Sequence, residues 1–163
     1  MWYYRSLGNC LDQKLDIAIL EDISRSIGKR QQSKKIKLID ELVEKKGVSS
    51  SGNHFAIITF AKEVAIQSSF HDKPYHEEDK LKRFVQKTLR VIPKAWGTRT
   101  DLAMGLASKE LFTEQGGDRP YAKNFIIMFT DGKPYKSKRD KRPGIPFKNT
   151  TEVLEVKNKN KNK

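Results

Sequence analysis

The sequence predicts an α/β fold with a Rossmann-like, mostly parallel central sheet, helices on both faces and a short antiparallel edge strand. Short apolar runs at 15–22, 55–60 and 125–129 are typical of strands buried on both faces. Amphipathic segments with apolar residues three and four positions apart separate these runs. Strands that alternate with helices form parallel sheets with right-handed crossovers, so we expect that architecture here.

The first half of the chain contributes three predicted strands and one helix. The run at 15–22 ends in two acids and is followed by a helical pattern over 29–46, for which Gly47 is a suitable C-cap. A second buried strand is predicted at 55–60, and 64–66 follows as the short edge strand.

The second half contributes two predicted helices and a core strand. A charged helix is predicted over 76–92, ended by Pro93, and another over 101–112, ended by a glycine-rich turn. The apolar run 125–129 is the third core strand.

Charge is concentrated at the C-terminal end. The chain has 33 Lys+Arg, 20 Asp+Glu and 36% hydrophobic residues. Residues 132–163 hold eleven of the basic residues and three acids, or +8 of the net charge of +13. High charge with few apolar residues disfavours a packed core. We therefore predict an N-terminal lead at 1–14, a domain at 15–134 and a basic, disordered tail at 135–163.

Simple features of the sequence argue against several classes of segment and site. No apolar run approaches the ~18–20 residues of a membrane-spanning helix, so no membrane span is predicted. The N-terminal residues lack the basic and apolar regions of a signal peptide. A single cysteine, Cys10, excludes an intramolecular disulfide and a multi-cysteine zinc site within this chain.

Small polar residues cluster where predicted strands or loops end. Asp22, Ser24 and Ser26 follow the first strand, Thr98 precedes a helix, and Asp131 follows the last strand. Ligands of open α/β sheets bind beyond the carboxyl ends of the strands. Oxygen-only ligands suit hard divalent cations, so Mg²⁺ is expected, with Mn²⁺ and Ca²⁺ as alternatives. An ion held mainly by neutral hydroxyls attracts an external anion. The first three residues alone equally fit helix capping by a serine.

This set resembles the von Willebrand factor type A domain, including the inserted domain of integrins, with its metal-ion-dependent adhesion site (MIDAS). The matching motifs are Asp-x-Ser-x-Ser at 22–26, Thr98 and Thr-Asp-Gly at 130–132, in the family's order, and the resemblance covers roughly 15–134. It implies direct ligation by Ser24, Ser26 and Thr98. It implies direct or water-mediated roles for the two acids, Asp22 and Asp131.

The resemblance also marks departures from the family. Beyond 130–132 the family continues with further core strands and helices, whereas this chain becomes rich in Lys and Arg, so the domain is interpreted as truncated. Many extracellular members pair a cysteine like Cys10 with one beyond the last helix, which this chain lacks. Thr100 is assigned a supporting role beside the ligands, and Glu21 is interpreted as a solvated acid.

The sequence favours an interaction module over an enzyme. His54, His71 and His76 adjoin none of the polar motifs, so a Ser-His-Asp hydrolase has no support. The implied function is cation-dependent adhesion to an acidic residue of an extracellular or cell-surface protein. The location follows from the resemblance alone.

Two alternatives remain open. One is non-specific binding of a glycan or nucleic acid by the tail, although its Lys-Asn alternation offers no aromatic residues for base stacking, so nucleic acid is disfavoured. The other is an intracellular scaffold of the same family. The partner and the ion in use are not readable from the sequence.

Overall fold

The computed structural model describes residues 13–90, 96–131, 134–136 and 138–144. Cys10, Gly132, most of the predicted lead and residues 145–163 of the predicted tail lie outside these ranges. No helix within them is both long enough and apolar enough to cross a membrane.

A four-stranded sheet forms the centre of the fold, in the order β3-β2-β1-β4. Strand β1 (Leu15–Asp22) pairs in parallel with β2 (His54–Phe60) and with β4 (Lys123–Phe129). Strand β3 (Val64–Ser68) runs antiparallel to β2 at the edge of the sheet. The predicted fold class, with its antiparallel edge strand, is confirmed.

Three α-helices cover the two faces of the sheet. Helices α1 (Lys29–Lys46) and α2 (Glu78–Leu89) pack on one face, and α3 (Thr100–Leu106) packs on the other. The alternation of side chains along β1 explains this arrangement, because successive residues of a strand face opposite ways. Ile17 and Ile19 contact the α1 and α2 layer, whereas Ala18 and Leu20 contact the α3 layer.

Two predicted helices differ from the observed ones. The pattern over 76–92 is divided into a short 3-10 turn, Lys73–His76, and α2, because the backbone of Glu77 is extended (φ −115°, ψ 127°). The pattern over 101–112 begins as α3 and continues as a π-helical turn, Ala107–Leu111. Both segments are helical as predicted, but their ends differ, and the predicted end at Pro93 lies outside the described residues. The α1 bounds agree with the prediction, and Gly47 ends that helix with φ 68°.

Candidate metal centre

The candidate site lies at the carboxyl ends of β1 and β4, beside the loop that leads into α3. Four of the five predicted ligands line one pocket of about 340 Å³. They are Ser24, Ser26, Thr98 and Asp131. The parallel pairing of β1 with β4 brings the first and last motifs to the same edge, because the carboxyl ends of parallel strands lie together.

The fifth, Asp22, lies beneath the pocket and is fully buried. Its Oδ1 accepts a hydrogen bond from the backbone N–H of Ser24 (2.8 Å), and its Oδ2 accepts one from the hydroxyl of Thr130 (2.8 Å). Each carboxylate oxygen thus accepts one hydrogen bond from the protein and retains capacity for a further contact. The resemblance implies either direct or water-mediated ligation by Asp22, and the arrangement fits the water-mediated role.

Ser24 and Ser26 direct their hydroxyls towards each other, with the two Oγ atoms 2.9 Å apart. Ser24 is buried and Ser26 is exposed. Neither serine caps α1, because the N-cap position is Gly28 and its backbone N–H is bonded by Gln31 Oε1 (2.9 Å). The capping interpretation is therefore wrong for this motif.

Thr98 is held in place by its backbone. It exchanges two hydrogen bonds with Tyr135, at 2.7 and 3.0 Å, and the N–H of Arg99 bonds to the carbonyl of Ala61 (2.8 Å). Gly97 precedes it with φ 123°, a conformation that L-residues rarely adopt, and a Cβ there would lie 3.2 Å from the Cα of Lys62. The loop thus requires glycine at this position.

A buried ionic network anchors the same loop. The guanidinium of Arg99 is 1% exposed; it donates two hydrogen bonds to Asp101, one to Asp140 (2.6 Å) and one to the carbonyl of Pro143. Asp140 also accepts from Arg142, and these bonds hold the pKa of its carboxyl well below the usual range. Residues 138–144, inside the predicted tail, are therefore fastened to the rim of the site.

A second buried ion pair lies under β1. Glu21 is fully buried and in ion-pair contact with Lys35 of α1, and the ammonium also donates to the carbonyl of Asp22 (2.6 Å). Burial raises the pKa of Glu21 to about 7, against the lowering effect of Lys35. The interpretation of Glu21 as a solvated acid is wrong, because α1 covers this part of the strand.

Thr100 occupies the first position of α3 and is 5% exposed. Its hydroxyl has no hydrogen-bond partner among the described atoms. A buried hydroxyl normally has a partner, so this oxygen retains capacity for a further contact near the Thr98 loop. The supporting role assigned to Thr100 stays a prediction.

The chemistry of the donor set fits a small hard cation. The hydrogen bond between the Ser24 and Ser26 hydroxyls keeps their oxygens 2.9 Å apart, and adjacent ligand oxygens of an octahedral shell with metal–oxygen distances of ~2.0–2.1 Å have the same separation. Within the described ranges, no group of three His, Cys, Asp or Glu could hold a metal ion. The five ligand assignments remain predictions.

Sequence reasoning missed two features of the site. Arg25 contacts the ring of Trp96, and Tyr135 lines the same pocket. The position of Arg25 between the two serines was visible in the sequence, but its aromatic neighbours lie more than 70 residues away and no short-range pattern links them to it.

Comparisons with known proteins agree on one family. A family model described as the von Willebrand factor type A domain matches residues 16–156. Matrilin-3 of Gallus gallus is 30% identical over 129 residues, which cover 77% of this chain and 27% of that protein. The von Willebrand factor of Rattus norvegicus is 26% identical over 132 residues, covering 80% of this chain and 29% of that protein. The chain thus spans less than a third of these relatives.

Solved structures agree on the fold. The proximal thread matrix protein 1 of the mussel byssus aligns with a TM-score of 0.75 at 21% identity, covering 90% of this chain and 36% of that one. A structure of the same mussel protein with a zinc-occupied MIDAS motif aligns with a TM-score of 0.74 at 20% identity, with the same coverage. The von Willebrand factor domain of a type V pilus tip protein from Porphyromonas gingivalis aligns at 0.57 and 20% identity, covering 74% of this chain and 38% of that one.

Proposed function

The chain belongs to the von Willebrand factor type A domain family, and on that premise we propose that it is a divalent-cation-dependent module for binding an acidic residue of a partner protein. The observation that carries the proposal is the 2.9 Å spacing of the Ser24 and Ser26 hydroxyls in a pocket shared with Thr98 and Asp131. The zinc-occupied MIDAS of the mussel relative supports a divalent cation at such a site. Mg²⁺ is the proposed ion because the donors are oxygens.

Each residue has a separate task in this proposal. Ser24, Ser26 and Thr98 would hold the ion directly, Asp131 at the exposed rim would hold it directly or through water, and Asp22 would act through water from below. A bound cation would supply electrostatic attraction for a carboxylate. The chain's own contribution is to leave the charge of that ion incompletely neutralised, since three of the five groups are neutral hydroxyls.

The proposal assigns binding without catalysis. The charged residues that line the pocket are one arginine and one aspartate. No His or Cys is among its described residues, so the pocket lacks the pairing of a nucleophile with a histidine base. Location at the cell surface or in an extracellular matrix is part of the proposal, supported by relatives whose names place them in a thread matrix and at a pilus tip.

Calorimetric titration with Mg²⁺ and Mn²⁺ tests the proposal. Ser26→Ala removes an exposed hydroxyl of the pocket, and Ser33→Ala removes an exposed hydroxyl on α1 as the matched control. We expect weaker metal binding for Ser26→Ala and Thr98→Ala and unchanged binding for Ser33→Ala. Identical binding heats for the native protein and all three variants would refute the site.

A further inference from the structure

The pocket of the proposed ligands is also lined by a cation and two aromatic rings. Arg25, Trp96 and Tyr135 line the pocket together with the proposed ligands. Trp96 is 62% exposed and Tyr135 is 52% exposed. Large exposed aromatic side chains at the mouth of a pocket, with Arg beside them, have the composition of the core of a protein interface.

Arg25 is oriented by an aromatic ring and retains its hydrogen-bonding capacity. Its guanidinium carbon lies 4.8 Å from the centre of the Trp96 ring. A contact with the ring face is electrostatic and does not consume the five N–H donors, which lie in the guanidinium plane. Within the described part of the chain, Arg25 has no ion pair or hydrogen-bond acceptor of its own. Its planar donors match a carboxylate.

We infer that Arg25, Trp96 and Tyr135 form a second recognition surface, which binds an extended acidic peptide segment of the partner. One carboxylate of that segment is directed to the hydroxyl site. A second carboxylate, one to three residues further along, is bound by Arg25. The aromatic rings contact the apolar parts of the segment between them. This inference rests on the proposed function and names the chemistry of its ligand.

Charge in the pocket favours a peptide over a sulfated glycan. Arg25 is the one basic residue among those described as lining the pocket, and Asp131 contributes an exposed carboxylate. A polyanion requires several cations spread along its length and is repelled by such an acid. A peptide with two separate carboxylates instead places one on each site and leaves Asp131 at the rim.

Peptide titrations followed by NMR test the inference. The probes are a blocked six-residue peptide with a single Glu among Gly and Ala, and three versions with an Asp placed one, two or three residues after the Glu. The readout is the indole N–H signal of Trp96 in ¹⁵N-labelled protein, identified with Trp96→Phe. Each titration is run in Mg²⁺ and in EDTA, with the native protein, Arg25→Gln and Arg83→Gln. Arg83 is an exposed arginine of α2 and serves as the matched control.

The native protein in Mg²⁺ is expected to bind at least one two-acid peptide more tightly than the one-acid peptide. Arg25→Gln lowers that affinity about fivefold, to the affinity of the one-acid peptide. A change of about fivefold is the size expected for one exposed charge pair. Arg83→Gln leaves it unchanged.

Equal affinities for the native protein and Arg25→Gln, an equal loss in Arg83→Gln, or no binding of any peptide overturns the inference. So does Arg25-dependent binding of a heparin hexasaccharide without a response to the peptides. If the effect of Arg25→Gln on peptide affinity is the same in EDTA as in Mg²⁺, the result supports the Arg25 recognition surface and refutes the cation-dependent binding proposed above.

Discussion

The hydroxyl of Thr130 donates a hydrogen bond of 2.8 Å to Oδ2 of Asp22, joining the ends of β4 and β1. The residues are 108 positions apart in sequence, yet they meet because the two strands are parallel neighbours. The bond fixes the buried carboxylate at the base of the pocket. It therefore links the stability of the fold to the geometry of the candidate metal centre.

Thr130→Val is expected to lower the free energy of unfolding by about 1 kcal/mol, because Asp22 Oδ2 loses its hydrogen-bond donor. Urea denaturation measures the change. Thr88→Val on α2, away from the site, is the control and should differ little from the native protein. An equal effect of the two substitutions would show that the Thr130 hydroxyl makes no specific contribution.

Lys35→Met is expected to destabilise the protein by about 3–5 kcal/mol, because it leaves the Glu21 carboxylate buried without its partner. Glu21→Gln combined with Lys35→Met should recover much of the loss. The comparison is made by denaturation near pH 8 of both variants and of the native protein, in which Glu21 with its pKa of about 7 is mostly ionised. A double variant as unstable as Lys35→Met alone would contradict this account.

The stabilising contribution of His54 is expected to be lost as the pH drops below about 6.5, whereas the raised pKa of Glu21 favours the folded state over the same range. Burial lowers the pKa of His54, and Arg119 and the stacked ring of His76, 3.8 Å away, act in the same direction. A histidine with a lowered pKa binds fewer protons in the folded state, so its contribution is present above the unfolded pKa and is lost as acid is added.

The stability of the native protein relative to His54→Gln, measured by thermal unfolding between pH 7.5 and 5, should fall as acid is added. His71→Gln removes an exposed histidine and is the control. If His54→Gln and the native protein lose stability in parallel over this range, the assignment to His54 is wrong.

Asp140→Asn is expected to loosen the Thr98 loop and weaken metal binding without unfolding the sheet. Asp140 connects Arg99, next to Thr98, with Arg142. Hydrogen exchange of the Thr98 and Tyr135 amides, which are bonded to each other's carbonyls, should become faster. Asp79→Asn, at an exposed position of α2, is the matched control. Unchanged exchange at both amides would show that the ionic network does not position the loop.

Gly97→Ala is expected to destabilise the protein by about 1–3 kcal/mol, since φ 123° is unfavourable for alanine and its Cβ would press on Lys62. Gly144→Ala, where φ is not positive and the atom nearest to an added Cβ is 3.9 Å away, is the control. Denaturation midpoints of the two variants separate backbone strain from loss of a glycine. Equal midpoints would contradict the strain at Gly97.

The mostly parallel sheet, and the position of the candidate site residues at one edge of it, could be predicted from the sequence. Both follow from local periodicity and from the polar residues that come after buried strands. β1 and α1 have the bounds expected from apolar spacing and a glycine cap. The burial of Glu21 was not predictable in this way, since it depends on Lys35 lying over the strand after the chain has folded. The same holds for the Arg99–Asp140 pair, whose members are 41 residues apart.

Manganese-induced broadening of amide signals would locate an ion bound to this protein, because a paramagnetic ion broadens only the signals close to it. At substoichiometric Mn²⁺, we expect selective loss of the Ser24, Ser26, Thr98 and Asp131 amide signals, their recovery on addition of excess Mg²⁺, and a weaker selective loss in Ser26→Ala. Broadening that is centred elsewhere, or uniform loss across the spectrum, would contradict a metal site at the ends of β1 and β4.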